Sequence, residues 1–144
     1  MEQERQKEQK ILKNLTRQWI EGWKTSSSQP FTIDPVSHLY KHDDRLSSYD
    51  FGGTTEGVLG WQQFVATYTQ FMGLTESWTL TLTNEIRVEL RNNFAWTTAS
   101  LYGKGGMKDG QKVEFPGRVT LIWEQTEDGW LIVHEHGSSP VRNY

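Results

Sequence analysis

Arg118-Val-Thr-Leu-Ile-Trp-Glu124, Gln125-Thr-Glu-Asp-Gly129 and Trp130-Leu-Ile-Val-His-Glu-His-Gly-Ser-Ser-Pro140 make one continuous stretch whose reading decides the fold. Two apolar runs of strand length flank an acidic turn that ends in glycine, the pattern of a β-hairpin. A three-residue loop, Glu127-Asp128-Gly129, puts the glycine where a left-handed backbone is needed. Thr126 then faces Trp130, and Ile122, Thr120 and Arg118 face His134, His136 and Ser138. Side chains alternate between the faces of a strand. One face is therefore core, with Val119, Leu121, Trp123, Leu131 and Val133. The other carries Arg118, Thr120, His134, His136 and Ser138. A face so rich in hydrogen-bonding groups lines a pocket, meets another subunit or faces water.

Working back from the hairpin, Gln111 to Glu124 reads as a long strand, with Pro116-Gly117 marking an edge or a bulge. Gly103 to Gly110 reads as a flexible, glycine-rich hairpin tip. It joins two strands and opens no helix, so it is no phosphate cradle. Phe94 to Tyr102, Ile86 to Leu90 and Trp78 to Thr83 are strands of period two. Before Gly73 the period turns helical: Val58, Trp61, Phe64, Val65, Tyr68, Phe71 and Met72 predict about four turns, opened at Thr54 or Thr55 with Glu56. Leu46 to Phe51 is a short strand running into a Gly52-Gly53 turn. Asp34-Pro35 starts a short helix. Ile11, Leu15, Trp19 and Trp23, with Leu12 and Ile20, mark a first helix from about Glu8. Residues 1–7 and 141–144 are expected to fray. Helices first and antiparallel strands after them make an α+β domain.

At 144 residues the chain makes one domain, 1–144. A net charge of −3 argues against a nucleic-acid surface or a polybasic membrane contact. No apolar run approaches the roughly 20 residues of a membrane span, and the charged N-terminus lacks a secretory signal, so a cytoplasmic protein is expected. Without cysteine there is no disulfide, thiolate metal site or cysteine nucleophile.

Two motifs carry a resemblance: Tyr49-Asp50-Phe51-Gly52-Gly53 through Gly57, Trp61 and Phe64, and Arg118-x-Thr120-x-x-Trp123, Asp128-Gly129-Trp130, His134-x-His136-x-Ser138-x-Pro140. On these the chain resembles the SnoaL-like group of the NTF2-like (ketosteroid isomerase-like) superfamily, over about residues 8 to 141. The direct Gly129–Trp130 junction lacks the family's usual spacer. The ending is also similar to the association domain of calmodulin-dependent kinases. The resemblance implies a cystatin-type roll, in which a cone-shaped curved antiparallel sheet packs on about three N-terminal helices. It further implies a deep, mostly apolar pocket and commonly a homodimer or a larger ring. It does not imply an activity, because the superfamily hosts isomerases, cyclases, dehydratases, hydrolases and assembly modules.

Within such a cone, Asp50 ends a strand near the mouth, where desolvation would hold it partly protonated and able to move a proton; the alternative is a turn aspartate. His134 and His136 stand two residues apart, with Cα atoms about 6.6 Å from each other. Three roles compete for them: an acid–base pair, metal ligands short of a third donor, or hydrogen-bonded structural histidines. No metal and no cofactor are invoked. Arg118 would clamp a carboxylate, or pair with an acid such as Glu124 or Glu135. Trp19, Tyr40, Tyr49, Tyr68, Trp96 and Tyr102 would wall the ligand, with Thr120 and Ser138 as polar contacts. The expected function is binding of a small anionic or carbonyl-bearing apolar molecule. If the protein is an enzyme, it is a cofactor-independent isomerase or lyase. The other reading is a non-catalytic association module that buries the same polar sheet face between subunits.

Overall fold

In the computed structural model residues 1–140 are described, and the segment 141–144 lies outside them. The C-terminal hairpin pairs β6 (Lys112–Thr126) with β7 (Gly129–Ser138). Thr126 pairs with Gly129, so the loop is the two residues Glu127-Asp128, one fewer than the sequence suggests. Gly129 has φ 95°, a backbone that residues with a β-carbon rarely adopt. Arg118–Ser138, Thr120–His136 and Ile122–His134 pair as expected, but Trp123 faces Ile132, and Val133 is an extra residue. That one-residue bulge absorbs the shorter loop, and it reverses the faces of the first half of β7. Trp130 and Ile132 enter the core, whereas Leu131 and Val133, expected there, are half-buried. Beyond the bulge Glu135 points inward.

Among the described residues seven strands form one curved sheet in the order β2 (Val58–Leu59), β1 (Ser47–Tyr49), β7, β6, β5 (Phe94–Met107) and β3 (Thr75–Leu82), with β4 (Arg87–Leu90) also on β5. β3 and β4 share one edge of β5. Strand β5 runs straight through Gly103, Gly105 and Gly106, which the sequence suggests are loop. A methyl on Gly103 would stand 2.8 Å from the Trp78 ring, and one on Gly105 would strike the Ser77 carbonyl. These glycines let β3 and its tryptophan lie close on β5. Pro116 pairs in register with Tyr102 without a bulge, at the part of β6 beyond the end of β7, where its missing N–H costs no ladder bond.

The helices pack on the concave face. α1 spans Glu2–Gly22, so its first turns are helical rather than frayed. Arg5 donates to the Leu90 carbonyl at 3.2 Å, and Glu8 accepts the Trp130 Nε1 proton at 2.5 Å, which ties those turns to the sheet. α2 is the short Asp34–Ser37 helix with proline in its first turn. α3 is Trp61–Met72, shorter than expected, because Val58–Leu59 forms β2 against β1 (Ser47–Tyr49) and Gly60 turns the chain at φ 84°. Leu12, Trp19 and Ile20 of α1 and Phe64, Tyr68 and Met72 of α3 meet Ala99, Leu101, Leu121, Trp123 and Ile132 of the sheet in a continuous apolar core. No helix among the described residues is long and apolar enough to cross a membrane.

Candidate functional site

β1 runs parallel to β7, with Ser47, Ser48 and Tyr49 beside His134, Glu135 and His136. Alternation then turns Ser48 and Glu135 to the concave side, and both are fully buried. Asp50, the next residue, lies against Gly137. A methyl built on Gly137 would stand 2.5 Å from Asp50 Oδ1, so the bare α-carbon is what admits the carboxylate. Asp50 Oδ1 also accepts the Phe51 backbone N–H at 2.9 Å. Asp50 and Glu135 are within hydrogen-bonding reach of each other.

These two carboxyl groups line a cavity of about 260 Å³ between sheet and helices. Its walls are mostly apolar, with Trp19, Trp23, Tyr68, Trp78, Phe71 and Phe115 supplying rings. Phe51, half exposed, packs on Phe115 at the rim with ring centroids 4.8 Å apart.

Behind the cavity, Glu135 is held by donors from three elements. The Tyr40 hydroxyl and Trp19 Nε1 (3.3 Å) donate to Oε1, and Ser48 Oγ donates to Oε2 at 3.3 Å. Trp19 Nε1 also reaches Tyr40 Oη at 2.7 Å, and Ser48 Oγ lies 3.0 Å from Tyr68 Oη. Burial, followed by the charge of Asp50, pushes the Glu135 carboxyl well above the usual carboxylate range. Burial also raises Asp50, although its hydrogen bond with Glu135 pulls the other way. The same desolvation raises the phenols of Tyr40 and Tyr68.

The expected site residues divide between the two faces of the sheet. Asp50, Trp19 and Tyr68 border the cavity, and Tyr40 stands behind it on Glu135. His134, His136, Thr120 and Ser138 share the convex face with Arg118, by the register of the hairpin. Arg118 touches the cavity at its rim, but it lies between the inward Gly117 and Val119, and its exposed guanidinium donates to Ser138 Oγ at 3.4 Å. Trp96 and Tyr102 alternate outward with the buried Ala95, Thr97 and Leu101, and the Arg91 guanidinium sits 4.9 Å from the Trp96 ring. Tyr49 is 46% exposed and meets both histidine rings edge-on. His134 Nδ1 lies 2.6 Å from Ser47 Oγ, and burial, aided by His136, lowers its pKa. Among the described residues no group of three or more histidine, aspartate or glutamate side chains is placed to hold a metal.

Sequence reasoning passed over Glu135, Ser48 and Gly137. Glu135 faces Leu121 across the hairpin and so falls on the core side by alternation, but a charged residue there goes against the apolar pattern of that face, and it sits between two more conspicuous histidines.

A family model described as a SnoaL-like domain matches residues 16–142. No curated protein matches. Among solved structures, an NTF2-like superfamily protein from Salmonella enterica superposes with a TM-score of 0.80 at 21% identity, over 96% of this chain and 95% of that one. A protein from Shewanella frigidimarina, proposed to be a ketosteroid isomerase, gives 0.66 at 18% identity over 87% and 92%. A Xanthomonas campestris protein proposed to be a calcium/calmodulin-dependent kinase II association domain gives 0.60 at 20% identity over 74% and 72%. At these identities the likeness is one of fold.

Proposed function

The chain belongs to the SnoaL-like family, and from that premise we propose that it binds a small, neutral, largely apolar molecule bearing a carbonyl group. We further propose that it moves a proton on that molecule without a cofactor, in an isomerase- or lyase-like step. The observation that carries this reading is the Asp50 carboxylate seated on Gly137 and lining a ring-walled cavity. In such surroundings a carboxylate is a stronger base than in water, because little solvent stabilises its charge. Asp50 is the proposed base, and Tyr68 Oη is the proposed donor to the carbonyl oxygen. With two carboxyl groups lining the cavity and the Arg118 guanidinium turned outward, an anionic ligand would meet repulsion. The proposed ligand is therefore uncharged.

Tryptophan fluorescence tests the binding half, since Trp19, Trp23 and Trp78 border the cavity. Methyl 1-naphthyl ketone should change the emission saturably, and 1-naphthoate should bind at least about tenfold more weakly, a difference of about 1.4 kcal/mol. Equal binding of the two, or none by the ketone, would count against the proposal.

A second reading rests on the convex face, where half-exposed Tyr49 stands among His134, His136 and the exposed Arg118. A homodimer or larger assembly through that face is compatible with a working cavity. Sedimentation of wild type and Tyr49→Asp tests it: dissociation of an assembly by the aspartate is the expected result, and an unchanged mass contradicts it.

A further inference from the structure

Glu135 is fully buried, yet among the described residues no lysine or arginine forms an ion pair with it. An isolated buried carboxylate costs several kcal/mol even after relaxation. Its donors are Tyr40, Trp19 and Ser48, which are neutral. The other carboxyl group that acts on it is Asp50, which borders the same cavity, and two adjacent carboxyl groups do not both ionise. Asp50 is the less buried of the two and also accepts a backbone N–H. It therefore ionises first.

We infer that Glu135 is a positioning residue that keeps a proton at neutral pH and donates it in a hydrogen bond to Asp50, so that the pair carries one proton between two acids. The bonding pattern fits this form throughout. Oε1, as the carbonyl oxygen, accepts from Tyr40 and Trp19, one donor for each lone pair. Oε2 carries the proton toward Asp50 and accepts from Ser48. The groups facing the pair are Trp19 from α1, Tyr40 from the segment after α2, Ser48 from β1, Tyr68 from α3 through Ser48, and His136, whose charge acts on Asp50 from the same strand as Glu135. The bonded proton aims one oxygen of Asp50, and the lone pairs not taken by Glu135 or by the Phe51 N–H are left for the cavity. During turnover Asp50 accepts a proton from the ligand and returns it, while Glu135 keeps its own, so no net proton is lost or gained. This inference rests on the cavity reading only where it calls Asp50 a base.

Carboxyl-carbon NMR of protein labelled at aspartate and glutamate carboxyls tests it without a ligand, with Asp50→Asn and Glu135→Gln assigning the two signals. The expected result at pH 7 is a protonated shift for Glu135 and an ionised one for Asp50, with Glu135 titrating above the usual range. In Glu135→Leu the titration of Asp50 should move upward, because its donor is gone. In Glu135→Gln the amide still donates, and Asp50 should stay ionised at pH 7. A purely packing role would leave Asp50 unmoved in both variants. An ionised Glu135 at pH 7, or an Asp50 titration indifferent to Glu135→Leu, overturns the inference. If the leucine variant does not fold, a protonated Asp50 at pH 7 in Glu135→Gln overturns it alone. Loss of the base reading by kinetics would leave the shared proton standing, and an ionised Glu135 would leave Asp50 standing as a base.

Discussion

The carboxylate of Asp50, the residue that follows β1, rests on the α-carbon of Gly137 in the parallel strand β7, with room for no further carbon atom between them. A methyl there would lie 2.5 Å from Oδ1 and 3.3 Å from Cε2 of Phe51. Gly137→Ala should therefore push Asp50 and the rim phenylalanine off their seats. The expected cost is about 1–3 kcal/mol in urea denaturation, the usual penalty of overpacking. Binding of the naphthyl ketone should weaken as well.

The pH dependence of stability follows from the direction of the carboxyl shifts. Asp50 and Glu135 are both raised relative to the unfolded chain. Between the unfolded pKa and the folded one, the native state holds a proton that the unfolded state has lost. The contribution is thus complete below the ordinary carboxylate range and disappears as pH rises toward the folded value. Glu135→Gln cannot ionise, so its stability relative to wild type should improve from pH 5 to pH 8. Chemical denaturation at several pH values checks this, and a constant difference would contradict it.

Arg118→Ala should leave ketone binding within about twofold of wild type, the range of surface substitutions, because the guanidinium is exposed and bonds Ser138. A larger loss would mean that the arginine turns into the cavity when a ligand is bound.

Away from the cavity, Thr97 joins helix to sheet: its Oγ1 meets Thr16 Oγ1 at 2.9 Å and accepts from Trp123 Nε1 at 3.0 Å. Thr97→Val keeps the shape but leaves the indole N–H unpaired in the core. The expected loss is about 1–3 kcal/mol in urea denaturation, with ketone binding retained at saturating stability.

Most of the fold was legible because the strands and helices of this chain follow their periods faithfully. The hairpin pairing of Arg118, Thr120 and Ile122 was readable by counting alone. The faces of the first half of β7 were less legible for one local reason. The bulge at Val133 adds a residue that no apolar or polar pattern marks, and with a two-residue loop it swaps the faces of the first half of β7 while preserving the pairs beyond. The polar face of Arg118, Thr120, His134, His136 and Ser138 was assigned correctly as a face, but strand alternation does not say whether such a face lines a cavity or lies on the outside of the curved sheet. The true inward acid, Glu135, lay hidden between the histidines that drew attention. The glycines of β5 misled in the same way, since their role is contact with Trp78 and Ser77 on a neighbouring strand, which local sequence does not display. Asp50 was legible because its strand ends at a glycine turn.

The most direct test of the central claim is the rate at which the protein opens 5-nitrobenzisoxazole, a neutral aromatic whose ring breaks when a base removes its one labile carbon-bound proton. Wild type should exceed Asp50→Asn by roughly 10²- to 10⁴-fold, the span of general-base catalysis. Equal rates for the two folded proteins would contradict the assignment of Asp50 as the base of this cavity.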